Sequence, residues 1–352
     1  MRRAAKAFAL IAAAAMVTSC GSSGGGSGGG GNEGALVVTD GGGTFHDALD
    51  KAVYKPCATS TGTKIDNATY DYSVGLIKAQ VQGAKEWDVV SLGAFISEAE
   101  AAKLFAPIDY SVVTADGLPE EARKKYWVGY DVTGIGLGYR TDKYPTAPTD
   151  WADLWDVKKF PGTGTLEKNA VNSNLEMALL ADGVQPSEMY PVDLDRAFKK
   201  LDELFEKRRM IFYDSGATMV QQYASGTATI GTGWTGRFTQ AADEKIPVAL
   251  TKKNMIMATT NWAVLKTSEN QDAAMKFIDC ASGAERQAAM DTELPGQIPA
   301  NTKAYDLLDP KIRETIPAPD ATDVLRQSND YWAENFDTAL ARWQKWLSKH
   351  GG

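Results

Sequence analysis

The fold turns on Tyr126–Trp155, YWVGYDVTGIGLGYRTDKYPTAPTDWADLW. Its first half gathers Trp127, Val128, Tyr130, Val132, Ile135, Leu137 and Tyr139 among the glycines Gly129, Gly134, Gly136 and Gly138. β-Branched and aromatic side chains suit a buried strand, while each interior glycine costs a helix about 1 kcal/mol. The run ends in the proline-punctuated loop Tyr144-Pro145-Thr146-Ala147-Pro148. Thr149-Asp150 then caps a short amphipathic piece with Trp151, Leu154 and Trp155 on one face. A strand leaving one unit and a helix opening the next describe a chain that crosses between two lobes. Size agrees, since 352 residues exceed what one hydrophobic core usually supports.

The same stretch resembles the inter-lobe crossing of the bilobed solute-binding proteins of ABC importers, in particular the spermidine/putrescine-binding type. That family's hydrophobic strand, its Pro-Thr-Ser/Asp-Trp-Ala-Asp-Leu-Trp tract and the following Phe-Pro-Gly are matched here through Phe160-Pro161-Gly162. Similar matches run over Trp87–Gly93 (WDVVSLG), Phe105–Tyr110 (FAPIDY), Ala228–Arg237 (ATIGTGWTGR) and Leu294–Asn301 (LPGQIPAN). The resemblance implies an α/β fold, periplasmic-binding-protein-like of type II, with two α/β lobes joined by crossing strands. It places the first lobe at 35–128 and 257–352, C-terminal helices included, and the second at 129–256. The implied function is capture of a small organic solute by lobe closure and delivery to a membrane permease, by a monomer with no cofactor, no metal and no catalysis.

Residues 1–19 carry a basic start (Arg2, Arg3, Lys6) and an apolar run, Ala7–Val17, too short to span a bilayer. Val17-Thr18-Ser19-Cys20 resembles a bacterial lipobox, which makes 1–19 a lipoprotein signal peptide and Cys20 the lipidated residue. Residues 20–34, almost pure glycine and serine, form a flexible tether between lipid and folded body. The expected location is extracytoplasmic, on the outer face of the plasma membrane. Formal net charge is −8; residues 1–19 hold three basic and no acidic side chains, so the rest bears −11. Such an acidic body is a poor partner for nucleic acid. Three cysteines and two histidines nearly exclude a Cys/His zinc cluster.

Ala35–Thr39 reads as a short buried strand, Asp40-Gly41-Gly42-Gly43-Thr44 as a glycine turn and Phe45–Tyr54 as a helix. Such a turn aims backbone N–H groups at an anion above it, and equally serves as a tight turn with no ligand. The resemblance makes it the first binding loop, contributing Asp40, Gly42, Gly43 and Thr44. It likewise assigns to the ligand Gly93, Tyr130, Asp131, Ser173, Asp214, Trp234, Arg237, Thr260, Asn261 and Gln297. Trp234, flanked by Gly233 and Gly236 at a strand end, offers an indole face to an ammonium group. The family fold would also bring Cys57 and Cys280 into one lobe, and in an oxidising compartment the two are read as a disulfide.

Polyamine binders of this family hold their dications with acids at positions that here carry Ala170, Ser173 and Thr260. A buried ammonium without a carboxylate is costly, whereas the Gly41–Thr44 turn and Arg237 suit an anionic end. The expected solute is an amine/carboxylate such as an aminobutyrate-like compound, or a polyamine held by Asp40, Asp131 and Asp214. Ferric-ion binding through Tyr130, Tyr213 and Tyr223 is one rival, although no two of these are adjacent. A secreted hydrolase is the other, without a nucleophile elbow between strand and helix or an H-E-x-x-H motif, and with His46 alone placed for base work.

Overall fold

The computed structural model describes residues 34–351 apart from Ala94 and Ala115. The expected signal peptide, Cys20 and all but the last residue of the tether lie outside the described residues. The strands in chain order are β1 (Ala35–Asp40), β2 (Lys64–Thr69), β3 (Val89–Gly93), β4 (Val128–Arg140), β5 (Gly164–Glu167) and β6 (Met210–Tyr213). They continue with β7 (Ile230–Trp234), β8 (Val248–Leu250), β9 (Met255–Val264), β10 (Ile298–Pro299) and β11 (Val324–Arg326).

The main path of the sheet is β2-β1-β3-β9-β4-β7-β5-β6. Its two ends, β2-β1-β3 and β7-β5-β6, are parallel three-stranded groups of the kind that α-helical crossovers build. Between them lie the two long strands β9 and β4, antiparallel to each other and to the neighbours they join. The fold is thus bilobed α/β of the type II periplasmic-binding-protein class, with β4 and β9 as the crossings. β4 shows the passage residue by residue. Val128, Tyr130 and Val132 belong to one hydrophobic core, while Ile135 and Leu137 belong to another. The glycines between and beyond them permit close approach: a Cβ on Gly136 would lie 2.6 Å from the Thr251 carbonyl oxygen.

The first core packs β1 and the helical stretch Gly43–Thr61 against Trp262, Val264, Phe277 and Ile278. Cys57 and Cys280 are bonded there, at a sequence separation of 223. Closing so long a loop restricts the unfolded chain by about 5 kcal/mol in the chain-entropy picture. The second core is built on the helices Val171–Ala181 and Leu194–Lys207.

One expectation needs correcting. The helix Asn329–His350, grouped with the first lobe from sequence, packs on the second core through Trp332, Trp343 and Trp346. Each of those indoles finds an acceptor there: Glu176 Oε1 at 2.6 Å, the Lys168 carbonyl at 2.8 Å and Asp202 Oδ1 at 2.7 Å. Buried indole N–H groups need such partners, and these hold the helix in place. Asn172, Ser173 and Asn174 belong to the first of the two helices of the second core. The helix starts at Val171, and all three lie buried within its first turns. Among the described residues no helix is long and apolar enough to cross a membrane.

Candidate ligand-binding cleft

The pairing of the crossing strands decides which side chains reach the cleft. β4 and β9 pair as Gly129 with Asn261 and then Asp131 with Thr260, so Tyr130 is an extra residue and forms a bulge. A bulge re-aims the side chains around it. Tyr130 turns into the first core, its ring stacked on Trp262 at 4.0 Å and its hydroxyl 2.8 Å from Ser91 Oγ. Asp131 and Thr133 are left on the other face, beside Thr260, where they line a solvent-open cavity of about 430 Å³.

Three further elements complete the walls. The turn after β1 supplies Gly41, Gly42 and Thr44, and the end of β3 supplies Gly93. β7 ends at Trp234 and runs directly into the helix Thr235–Asp243, whose first turns add Gly236, Arg237 and Gln240. The loop after the helix Ala284–Glu293 adds Leu294 and Gln297. Trp234 is fixed by its indole N–H, which donates to Glu167 Oε2 at 3.1 Å.

Among the described residues, Asp131 and Arg237 are the only charged side chains lining the cavity, and neither makes an ion pair. Asp131 is 2% exposed. With its amide nitrogen turned toward the carboxylate, Gln297 lies 3.2 and 3.3 Å from the two Asp131 oxygens. Burial pushes the Asp131 carboxyl up to about 7, and a hydrogen bond from the Val132 N–H offsets only part of this. Burial likewise raises Glu167 to about 7 behind Trp234. An acid held short of a countercharge in a low-dielectric wall is primed to accept a cation.

Of the residues assigned from sequence, Gly42, Thr44, Gly93, Asp131, Trp234, Arg237, Thr260 and Gln297 meet at this cavity, and six do not. Asp40 is fully buried beneath the turn, with its oxygens taken by protein donors. Gly43 opens the first helix and Tyr130 is the bulged residue. Ser173 lies 3.2 Å from the Gln327 amide nitrogen. Asn261 is buried and donates to the Thr259 carbonyl at 3.2 Å. Asp214 accepts from Thr218 Oγ1 at 3.1 Å on the exposed start of the helix Gly216–Ala224. The tyrosines considered for iron are also elsewhere: Tyr130, Tyr213 and Tyr223 are buried, the last two bonded to Thr232 Oγ1 and the Gly138 carbonyl. Sequence reasoning missed Phe45, Tyr72, Thr133 and Gln240. Thr133 was within reach, two residues from Asp131 on one strand, as was Gln240, three from Arg237 on one helix.

Comparison with known proteins agrees with this architecture. Residues 52–319 match the model of the family described as bacterial extracellular solute-binding protein. The chain belongs to that family. It is therefore an extracytoplasmic substrate-binding protein of an ABC transporter, working with a permease to take up a small organic solute. Among relatives, a γ-aminobutyric acid-binding protein of Pseudomonas aeruginosa is 29% identical over 326 residues, covering 88% of this chain and 89% of its own. A solved GABA receptor shares 35% identity at a TM-score of 0.81, covering 89% of this chain and 97% of that one. The binding protein AgtB of A. tumefaciens, solved with agropinic acid, shares 33% identity at a TM-score of 0.75, covering 90% of this chain and 99% of that one.

Proposed function

We propose that the cleft captures a zwitterionic ω-amino carboxylate of the γ-aminobutyrate class, with Arg237 receiving the carboxylate and Asp131 the ammonium. The observation that carries this is the pair of charges, one of each sign, on one cavity, neither with an ion-pair partner among the described residues. A guanidinium binds a carboxylate in its planar fork. The indole of Trp234 adds a face for the methylene chain and the ammonium. A polyamine would bring two or more ammonium groups to a single available carboxylate, since Asp40 is saturated and Asp214 does not line the cavity. The γ-aminobutyrate for which two relatives are named belongs to the same class.

The ligand favours the closed state by touching both walls at once, and the closed form docks on the permease; no bond is made or broken. In this reading Cys20 carries the lipid anchor, and the C-terminal helix moves with the second lobe. Isothermal titration with γ-aminobutyrate, putrescine and spermidine tests the assignment. Binding of γ-aminobutyrate well ahead of both polyamines is the expected result, and tight spermidine binding overturns it.

A further inference from the structure

Tyr72 stands between β2 and the helix Val74–Ala79 with a backbone φ of 62°. Left-handed backbone is uncommon for a bulky residue, and where it persists the surroundings hold it. Here a row of tilted aromatic contacts packs beside it: the Tyr72 ring centroid is 5.3 Å from that of Tyr70, which is 5.1 Å from Trp87. The Tyr70 hydroxyl in turn donates to the Ser91 carbonyl. On its cavity side the Tyr72 ring overlies Gly41, where a Cβ would fall 2.8 Å from its Cε2 and 2.9 Å from its Oη. The ring therefore occupies the space a side chain at position 41 would need. Gly41 and Tyr72 form one wall together, and Tyr72 remains 38% exposed there. Although the residue as a whole is part exposed, burial of its hydroxyl end pushes that group up to about 12, hydrogen bonding to Ser91 offsetting part of this and the charges of Asp40 and Asp131 adding to it, so it is neutral at physiological pH.

We propose that Tyr72 is a specificity-determining residue that limits ligand length at the ammonium end of the cleft, a role that rests on the zwitterion reading above. A chain longer than the span from Arg237 to Asp131 has to displace this ring or give up one of its two charge contacts. The ring yields poorly because its backbone and its aromatic neighbours fix it. Length discrimination follows from one side chain on the first lobe, while Arg237 and Asp131 supply the affinity.

The test is calorimetric titration of 4-aminobutyrate, 5-aminopentanoate and 6-aminohexanoate into the wild-type protein, Tyr72→Phe, Tyr72→Asn and Gly41→Ala. Asparagine tolerates left-handed backbone, so Tyr72→Asn removes the ring without new strain, and thermal melts check each fold. The wild type is expected to prefer four carbons over six by on the order of 10–200-fold. Tyr72→Phe keeps that ratio. Tyr72→Asn reduces it by about tenfold or more, chiefly by tightening the six-carbon ligand. In Gly41→Ala the new methyl drives the ring into the cavity and weakens all three ligands. If Tyr72→Asn keeps the wild-type ratio, the length limit is not Tyr72. If the wild type binds none of the three, the zwitterion reading fails and takes this role with it.

Discussion

Asp131 lies in one wall of the cleft and Asp40 beneath another; both are buried, yet their surroundings are opposite. Asp40, at the end of β1, accepts from the Gly42 N–H at 2.7 Å, His46 Nδ1 at 2.9 Å, the Tyr54 hydroxyl at 2.8 Å and the Asn67 amide at 2.8 Å. A carboxylate offers about four acceptor sites, so this one is filled by its own protein. It pins the glycine turn to the helix and to β2. Asp131, in β4, has the Val132 N–H and the Gln297 amide as donors, stands close enough to the buried Asp291 carboxyl to raise it, and among the described residues has no cation partner. A filled carboxylate is scaffold, whereas one left short on a cavity wall has room for a partner from outside. Glu176 belongs with Asp40. It accepts at 2.6 Å from Tyr190, Gln327 and Trp332, and so ties the C-terminal segment to the second core.

The sharpest way to break this contrast is to neutralise the two charges of the cleft. Removing one partner of a buried, hydrogen-bonded charge pair typically costs 2–5 kcal/mol of binding, so Asp131→Asn and Arg237→Ala should each weaken γ-aminobutyrate by roughly 30- to 5,000-fold. Asp131→Asn should also raise the stability of the unliganded protein, by roughly 1–3 kcal/mol near pH 8, because a buried uncompensated charge is gone. Titration calorimetry and denaturant melts on the same preparation read both effects. A variant that binds normally, or loses stability as it loses binding, would place Asp131 with the scaffold.

Asp40→Asn should behave the other way round. An amide cannot accept from all four donors, and a donor left unsatisfied in a buried site costs about 1–3 kcal/mol. The unliganded protein should therefore lose stability, while the affinity of the folded fraction falls by about tenfold or less through loosening of the Gly41–Thr44 turn. Loss of binding as deep as that of Asp131→Asn, with unchanged melting, would show that Asp40 contacts the ligand directly.

The same physics sets how much of the fold and the cleft was legible in the sequence. The crossing strand was readable because its apolar and glycine pattern has no other good use. Trp234 and Arg237 were readable because a strand end flanked by glycines exposes the residues that close it. Simple alternation along β4 puts Tyr130 and Asp131 on opposite faces, but not which of them faces the cleft. The bulge against β9 decides that, and bulges leave no composition signal. Asp40 read as a ligand because its four partners come from positions 42, 46, 54 and 67, which only the fold gathers. Tyr72 lay hidden in YDYSVG, a stretch with no period, where its left-handed backbone and its place beside Tyr70 come from the fold. The C-terminal helix showed its apolar face but not its address, which depends on acceptors offered by Glu176, Lys168 and Asp202.

The smallest expected effect is also the most specific, because it rests on the sign of a single titration. In the free protein Asp131 holds its proton up to about pH 7. Beside a bound ammonium it must be ionised, so binding below that pH releases a proton. Affinity for γ-aminobutyrate should then fall as pH drops below about 7, by at most tenfold per unit, and level off above it. Calorimetry near pH 6 in phosphate and in a buffer of high ionisation enthalpy should give different apparent enthalpies, with a difference matching about one proton released. Glu167, also raised to about 7, sits behind Trp234, and Asp291 is pushed well up by burial and then by the charge of Asp131. Glu167→Gln should therefore keep the slope, which distinguishes the carboxylate that meets the ligand from the one that holds the indole. Stability without ligand runs in the opposite sense. The folded-state value lies above the unfolded one, so the contribution of Asp131 is present in acid and is lost as pH rises through about 7, and Asp131→Asn removes that part of the dependence. Affinity that stays flat from about pH 5.5 to 8, with no dependence on buffer, would mean that the ammonium does not sit on Asp131.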